Sequence, residues 1–454
     1  MTRHLRWSIL LPMVLALMAA SIPASADHAT RPHTPNIHAK GHSPHPAQFL
    51  GVPSIDQHVN SDLAFQGRLA FNGNYDGWRV IDISDPDNPT ELAHPSCKGD
   101  QGDIVVWGNL LVRSWNTKRP EARPCVGETV PINWEGVHVF DISNPTNPTL
   151  EAAVELPCGS HTATAAGVDD GDLIVYSNIS SSVGCGPPGN TRAEQDALGD
   201  FMDVIAVPLD NPSGASLIHR EPLAGPTDPL VRTGCHDVGV ILGDVNKAAC
   251  ASADTINVFD VSNPRDPSVL FTITEPGVGD STTNGRWHSA AFTWDGEVII
   301  GGWEPGGGAA AECETSDPVV DKSMFFYDAD TGAKLGIWTL PRGQDAPNEN
   351  CTIHNYNVVP LRSGRYVAVS GNYQAGTWVT DFTDPANAVT VAWSDPPVLS
   401  PPDLGGAWSS YWYNNFVYES EITKGLNVFR VSDPRVDGTI RLRRLNPQTQ
   451  EFSQ

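Results

Sequence analysis

Short stretches of alternating apolar and polar residues recur along the chain, and each stretch ends in a proline-containing turn. A representative copy is VHVFDISNP at residues 137–145, in which β-branched and aromatic residues precede Asn-Pro. Other clear copies lie at residues 78–86, 256–264, 377–385 and 426–434, and degenerate copies lie at 202–210 and 325–331. Alternation with a period of two predicts a half-buried β-strand, and Asp or Asn before Pro predicts a tight turn. Seven strand-and-turn units are therefore expected.

Each unit contains more than this one strand. Two further apolar runs precede a copy, as at residues 289–292 and 298–300 on either side of the Asp295-Gly296 turn, and a short extended segment follows it. Four strands in units of roughly 50 to 65 residues are the proportions of a β-propeller. The sequence predicts an all-β fold, a seven-bladed β-propeller of four-stranded blades with disulfide-stapled loops, over residues 49–446.

The beginning of the chain has the pattern of an export signal. Arg3 and Arg6 precede an apolar run at residues 9–19, and the small residues Ala-Ser-Ala follow at 24–26. This order of charge, apolar run and small residues is typical of a signal peptide. We expect a signal peptide over residues 1–26, a mature chain that starts at about Asp27, and secretion to the extracellular space.

Two further segments flank the repeats. Residues 27–48 contain five histidines and four prolines, a composition that predicts a His- and Pro-rich disordered linker. Residues 447–454 follow the last repeat and are expected to form a C-terminal tail.

The composition narrows the classes of partner. The chain has 53 acidic against 28 basic side chains and a formal net charge of −25, which argues against nucleic acid and anionic lipid as ligands. Beyond the signal peptide, no apolar run approaches the roughly 20 residues that span a membrane. We expect a monomer that binds a protein, a glycan or a small molecule on its loop face.

The eight cysteines all follow the signal peptide, and an even number in an exported chain predicts four disulfides. In the repeat frame, four cysteines precede a first strand and four follow a second strand, so all eight fall on one face of the propeller. Sequential pairing gives Cys97–Cys125, Cys158–Cys185, Cys235–Cys250 and Cys313–Cys351.

The repeated copies resemble the LVIVD repeat of exported bacterial β-propellers, whose strand ends in Val/Ile-Asp-Val/Ile-Ser-Asp/Asn-Pro. The resemblance covers about residues 50–446 and departs from the pattern at residues 206–208, where Ala-Val-Pro replaces the Asp-containing turn. It implies the propeller fold and an extracellular location, and it implies no settled activity.

Candidate chemistry comes from histidines that open the first strand of four units at matching positions. They are His161, His236, His288 and His354. Because the innermost strands of a propeller line its axis, we expect these side chains to converge at one mouth of the channel. Glu304 lies in a nearby loop and is a candidate additional ligand. Neutral imidazole binds iron, copper and zinc, so the sequence predicts a divalent transition-metal site here.

The same histidines have a structural alternative, in which each anchors its blade through a hydrogen bond to a neighbouring strand. Three functional hypotheses follow. The first is a secreted binding or interaction scaffold, with or without a metal at the axial histidines. The second is a metal-dependent extracellular oxidoreductase or hydrolase that uses iron, copper or zinc, and the third is a metal carrier. The sequence assigns no catalytic residue and leaves open whether the protein is an enzyme.

Overall fold

The computed structural model describes residues 31–45, 59–99, 101–224, 234–278, 285–344, 346, 349–399 and 404–452. The signal peptide expected at residues 1–26 lies outside these residues. Within the described ranges, no helix is long and apolar enough to cross a membrane.

The first half of the chain forms fifteen strands within these ranges. They begin with β1 (Ile37–Pro44), β2 (Asn60–Gln66), β3 (Leu69–Asn74), β4 (Gly77–Asp82) and β5 (Thr90–Ala93). The next are β6 (Ile104–Trp107), β7 (Leu110–Trp115), β8 (Arg123–Cys125), β9 (Glu128–Val130), β10 (Gly136–Asp141) and β11 (Thr149–Glu155). Then come β12 (Thr162–Asp169), β13 (Asp172–Asn178), β14 (Phe201–Pro208) and β15 (Ser216–Pro222).

The second half continues the same pattern. It contains β16 (Cys235–Ile241), β17 (Lys247–Ser252), β18 (Thr255–Asp260), β19 (Ser268–Thr274), β20 (Arg286–Phe292), β21 (Val298–Glu304), β22 (Ser323–Asp328) and β23 (Lys334–Thr339). After these come β24 (Asn355–Val358), β25 (Val367–Gly371), β26 (Thr377–Asp381) and β27 (Val389–Ser394). The last are β28 (Ala407–Tyr413), β29 (Phe416–Glu421), β30 (Gly425–Val431), β31 (Arg444–Leu445) and β32 (Thr449–Gln450).

Helical segments are short and lie in the connections. The helix α1 (Arg192–Gly199) begins with a capping box, in which Thr191 and Glu194 each accept a backbone N–H of the other. Single 3₁₀ turns lie at Pro212–Gly214, Pro305–Gly308, Val319–Lys322, Pro385–Asn387 and Pro434–Val436.

The sheets make an all-β propeller whose blades differ from the expected arrangement. Five separate blades have four or five strands: β2–β5 with β31, β6-β7-β10-β11, β12–β15, β16–β19 with β32, and β20–β23. Eight of the remaining strands form one sheet in the order β1-β30-β29-β28-β24-β25-β26-β27, and β8 and β9 form a small two-stranded sheet. The prediction of seven separate four-stranded blades is therefore wrong. A parallel pairing between Asn355 and Ser409 joins β24 to β28, because two innermost strands approach closely enough here to share backbone hydrogen bonds.

The segment expected to be a disordered linker at residues 27–48 contains a strand. β1 pairs antiparallel with β30, from Ile37 opposite Val431 to Pro44 opposite Gly425. Without β1, β30 would expose a row of unpaired backbone groups, which is costly at a sheet edge. The backbone pairing outweighs the high proline content, since Pro35 precedes the strand and Pro44 ends it.

The C-terminal tail expected at residues 447–454 is likewise part of the propeller. Thr449 and Gln450 form β32, which pairs parallel with Val240 and Ile241 at the end of β16. Gln448 donates a hydrogen bond of 2.7 Å to Asp62 on β2. The tail thus crosses the innermost strands at the end opposite to His236, which lies at the start of β16.

The aspartate at the end of the repeated strand takes part in the turn that follows it. Its carboxylate accepts the backbone N–H two residues later, as Asp82 does from Ser84 at 2.9 Å and Asp260 does from Ser262 at 2.8 Å. The same bond forms at Thr383, whose N–H donates to Asp381 at 3.0 Å. These local bonds stabilise the reversal after each strand.

The hydrophobic core lies between neighbouring sheets. One cluster combines Ile300 and Phe326 of β21 and β22 with Val358 and Trp378 of the eight-stranded sheet, and all four are fully buried or nearly so. Face-to-face packing of this kind fixes the sheets relative to one another, so the innermost strands present their side chains to the axis at defined positions.

The eight cysteines form four disulfides. They pair as Cys97–Cys125, Cys158–Cys185, Cys235–Cys250 and Cys313–Cys351, which is the sequential pairing expected. We expect thiol titration of the denatured, unreduced protein to detect no free cysteine. Detection of two or more thiols per chain would contradict the pairing.

The N-terminal arm, residues 31–44 with β1, is also held to the propeller by a buried ion pair. Arg31 Nη1 lies 3.3 Å from Glu419 Oε1, and both side chains are almost completely buried. We expect Arg31→Met to lower the free energy of unfolding by about 3 kcal/mol, because Glu419 would lose its buried cation. Urea unfolding followed by tryptophan fluorescence measures this change.

Arg68 supplies the matched control for this experiment. Its side chain is 71% exposed and its Nε lies 3.9 Å from Asp82. Arg68→Met should therefore cost less than about 1 kcal/mol. Equal losses in the two variants would show that the arm contributes no more than a surface contact.

Candidate metal centre at the axial mouth

The four predicted histidines come together in one row at the axis. The ring centres of His161 and His236 are 4.4 Å apart, those of His236 and His288 are 4.2 Å apart, and those of His288 and His354 are 4.1 Å apart. His161 and His354 directly precede β12 and β24, whereas His236 and His288 lie within β16 and β20. Four separate sheets thus each contribute one imidazole to the row.

Local irregularities in the strands direct two of these side chains. The pairing of β16 with β17 shifts register between Cys235 and Asp237, and the pairing of β20 with β21 shifts between Trp287 and Ser289. His236 and His288 are the residues skipped by these shifts. A β-bulge of this kind turns a side chain away from the regular alternation, so both imidazoles face the channel.

Backbone carbonyls of neighbouring strands fix the ring orientation. His236 Nδ1 lies 3.1 Å from the carbonyl of His288, and His354 Nδ1 lies 2.5 Å from the carbonyl of Trp408. A carbonyl only accepts hydrogen bonds, so Nδ1 carries the proton in both rings. In a neutral imidazole the lone pair then lies on Nε2, which is the arrangement commonly found in metal-ligating histidines.

Glu304 joins this row, as the sequence placed it. Its Oε1 lies 4.0 Å from His288 Nε2 and 3.8 Å from His354 Nε2. Ligand atoms of His236, His288 and Glu304 all lie within 4.8 Å of one another, and all three residues are buried. His161 stands apart from this group, because its ring nitrogens contact Asn116 at 2.7 Å and Gln101 at 3.1 Å.

Tyr373 links the carboxylate to the last histidine of the row. Its hydroxyl lies 2.8 Å from His354 Nε2 and 3.2 Å from Glu304 Oε1. The backbone of Tyr373 has φ 50°, a conformation that costs energy for a bulky residue. The strained turn after β25 therefore brings a phenol into the centre of the site.

Burial sets the protonation of these groups. It lowers the pKa of His161 and His354 to about 3 and that of His236 and His288 well below the usual value, so all four imidazoles are neutral. Burial also raises the pKa of Glu304 to about 7, against the opposing effects of Arg286 and Tyr373. Neutral imidazoles beside a carboxyl group that ionises near neutrality are suited to a cation.

A cavity of about 240 Å³ lies over this cluster. Its walls include Gln101 and Trp408, the positions that correspond to the histidines in two further units. The row of histidines thus borders a cavity that a small ligand can enter.

Sequence reasoning missed several cavity residues that share one position. Each lies one or two residues after the second strand of its unit: Tyr75, Ser180 and Tyr373 after β3, β13 and β25. Glu304, at the end of β21, occupies a similar place. Aligning the units at the end of the second strand, as well as at the start of the first, would have identified them. Arg286, which precedes Trp287-His288, also lines the cavity and carried no repeat signal.

A match to a known repeat family agrees with the propeller. The LVIVD repeat model matches residues 61–94 and 130–155, which supports the repeat family and the β-propeller fold. Among solved structures, the β-propeller domain of Cps50 (Swd1) from Myceliophteria thermophila has a TM-score of 0.47 at 10% identity, over 85% of this chain and 100% of that one. No curated protein matches the chain. The class defined by fold and repeat is a β-propeller with LVIVD-type units.

The glycine-rich turn at Pro305–Gly308 packs against the histidine and glutamate cluster. Gly308 has φ 79°, and a Cβ there would lie 2.5 Å from Glu304 Oε1 and 2.6 Å from the Tyr373 hydroxyl. Gly364 has a similar φ of 71°, with no described atom within 4 Å of the corresponding Cβ. Both alanine variants therefore carry the same backbone strain, about 1–2 kcal/mol, and only one adds a steric clash.

We expect Gly308→Ala to lower the free energy of unfolding by about 1–3 kcal/mol more than Gly364→Ala does, because either the turn or the buried, hydrogen-bonded ends of Glu304 and Tyr373 must move. Urea unfolding of the two variants measures the difference. Equal stabilities would show that the turn is not packed against the cluster.

Proposed function

We propose that this protein is an extracellular β-propeller scaffold that holds one divalent transition-metal ion at its axial mouth. The observation that carries this proposal is the grouping of ligand atoms from His236, His288 and Glu304 within 4.8 Å of one another. The three residues lie on two neighbouring sheets, β16–β19 and β20–β23, which pack against each other through a buried hydrophobic cluster, and this favours binding without large rearrangement.

The donor set fits such an ion. Two imidazoles and one carboxylate are a common ligand set for catalytic zinc and for non-haem iron, and copper also accepts imidazole. Ligand atoms around a tetrahedral zinc lie about 3.4 Å apart at the usual bond lengths, so the 4.0 Å between His288 and Glu304 requires only a small contraction. His288 Nδ1 is buried and has no hydrogen-bond partner among the described residues, which leaves this ring free to adjust.

The surrounding groups have supporting roles. Backbone carbonyls hold His236 and His354 in the tautomer that presents Nε2 to the cavity. Tyr373 donates its single hydroxyl proton either to His354 or to Glu304, so it orients both. His354 is the candidate fourth ligand once the Tyr373 hydroxyl turns to Glu304.

The proposed location outside the cell rests on two features. Four disulfides with no free cysteine among the described residues suit an oxidising compartment. The signal-peptide pattern of residues 1–26 points the same way. LVIVD-type propellers suggest an interaction role, and the disulfide-linked loops around the axial mouth are the surface proposed for it.

A metal-dependent oxidoreductase or hydrolase is the second candidate. The open cavity beside the ligand group favours it, because three protein ligands leave a coordination position for water or substrate. In that case the residues of this chain would bind and orient the substrate, and Glu304 or Tyr373 would hold the transferable proton at Oε1 or at the phenol oxygen.

The proposal is tested by the metal content of the secreted protein, purified without added metal or chelator after growth with zinc, copper and iron. We expect close to one ion per chain by mass spectrometry. His236→Ala and His288→Ala should each lower the affinity by about 10- to 1000-fold and lose the ion on dialysis, because two protein ligands hold a divalent ion weakly.

His38→Ala is the matched control, because His38 is exposed on β1, far along the chain from the cluster. It should retain the ion. A wild-type protein without metal, or equal retention in all three histidine variants, would contradict the proposal and leave the histidines as anchors between strands.

A further inference from the structure

A second group of side chains with metal-ligand chemistry lies at the outer edge of the propeller. His219 and Glu221 lie on β15, which forms the edge of its sheet opposite to β12, and Asp266 lies in the turn between β18 and β19 of another sheet. Ligand atoms of these three residues all lie within 4.8 Å of one another. His219 Nε2 is 3.0 Å from Glu221 Oε2 and 3.6 Å from Asp266 Oδ1. Two blades thus contribute to one group.

The alternation of β15 directs two of these side chains to the same face. Residues two apart on a strand share a face, so His219 and Glu221 point one way and Arg220 points the other way. Arg220 Nε lies 2.6 Å from Asp203, and Nη2 donates to the carbonyl of Leu198 at 2.7 Å. The cation between the two residues in sequence is therefore used on the opposite face of the strand.

Contacts other than its own carboxylate hold the turn of Asp266 against the sheet that contains β15. Arg265 forms ion pairs with Asp169 and Asp172, at 2.6 and 2.7 Å. The hydroxyl of Tyr176 donates to a backbone carbonyl of the same turn at 3.1 Å. All three partners of the turn belong to β12 and β13, so the fold itself places Asp266 opposite His219.

The turn does not need a carboxylate at this position. The backbone N–H of Asp266 donates to the carbonyl of Asn263 at 3.1 Å, and asparagine makes the corresponding backbone bond in three other units. These asparagines are Asn88, Asn147 and Asn387. Because asparagine serves the turn in those units, the negative charge of Asp266 is available for the group that it faces.

One imidazole and two carboxylates suit Zn²⁺, which binds nitrogen and oxygen ligands at about 2.0–2.2 Å in a tetrahedral arrangement. Ligand atoms at those bond lengths lie about 3.4 Å apart. The 3.0 and 3.6 Å measured from His219 fall on either side of this spacing. The Asp266 side chain is 71% exposed, so an ion can enter from solution and water can complete its coordination.

We propose that His219, Glu221 and Asp266 form a surface zinc site that links two neighbouring blades. This inference is independent of the proposed axial metal, because the axial histidines lie at the opposite edges of the sheets. The ion binds the native arrangement of the two blades, so zinc stabilises the folded chain through their outer contact.

The test measures zinc affinity by titration of the full mature chain in competition with a chromophoric chelator. The chain carries His288→Ala, which removes one ligand from the axial group. We expect this chain to bind one zinc ion at the surface site. Adding Asp266→Asn should weaken the binding by about 10- to 100-fold, because the carboxylate is lost while the turn is preserved. Adding His219→Gln should have a similar effect, since it removes the imidazole and keeps a donor for Glu221.

Asp87→Asn is the matched control for the loss of one exposed carboxylate. Asp87 lies in the corresponding turn of the first unit and pairs with Lys40 at 2.7 Å, with its own side chain 55% exposed. This variant should bind zinc with unchanged affinity. If His288→Ala does not fold, the same comparisons in the wild-type chain decide the question, with one of two ions lost in Asp266→Asn.

The outcomes separate this inference from the proposed function. Zinc affinity that is unchanged in both Asp266→Asn and His219→Gln overturns the surface site, as does a folded His288→Ala chain that binds no zinc. Zinc that is lost in Asp266→Asn and retained in His288→Ala supports the surface site. A single wild-type ion with this behaviour would contradict the axial site alone.

Discussion

The innermost strands of this propeller depend on hydrogen bonds that do not belong to any sheet. Neighbouring first strands diverge around the axis, so they cannot pair along their length, and their buried carbonyls need other donors. Side chains supply them: Thr162 donates to the carbonyl of His236 at 2.6 Å, His236 to that of His288 at 3.1 Å, and His354 to that of Trp408 at 2.5 Å. This belt of side-chain bonds connects the sheets at the mouth of the channel.

The belt also removes the apparent conflict between an anchoring role and a metal-binding role for the histidines. The anchor uses Nδ1, which donates to a carbonyl, and the proposed metal binding would use Nε2. His161 shows the contrast, because side-chain amides of Asn116 and Gln101 contact both of its ring nitrogens. The row therefore contains His161, whose two nitrogens both contact side-chain amides, beside His236, whose anchor uses only one nitrogen.

The sequence predicted what depends on local pattern and missed what depends on distant pairing. The repeated strand and its Asp turn are local, so the all-β propeller, the histidine row and the place of Glu304 followed from them. The pairing of Ile37 with Val431 joins opposite ends of the chain, and no local signal distinguishes that strand from a proline-rich linker. The contact of Tyr373 with Glu304 depends on a left-handed turn, which the residue type disfavours. The division into sheets failed for a related reason, since one parallel pairing at Asn355 merges two sets of strands.

Buried ionisable side chains near the axis fall into two groups that differ in chemistry. Asp62, Asp103 and Asp237 are buried close to the starts of the innermost strands, and burial raises the pKa of Asp103 and Asp237 well above the usual value, which favours the uncharged acid. Gln448 of the C-terminal tail donates a hydrogen bond to Asp62. A neutral carboxylic acid is a poor ligand, whereas the imidazoles at the mouth are neutral and Glu304 ionises near pH 7. The tail therefore does more than complete a sheet, because Gln448 satisfies one of these buried acids, and the imidazoles and Glu304 are the groups suited to the proposed cation.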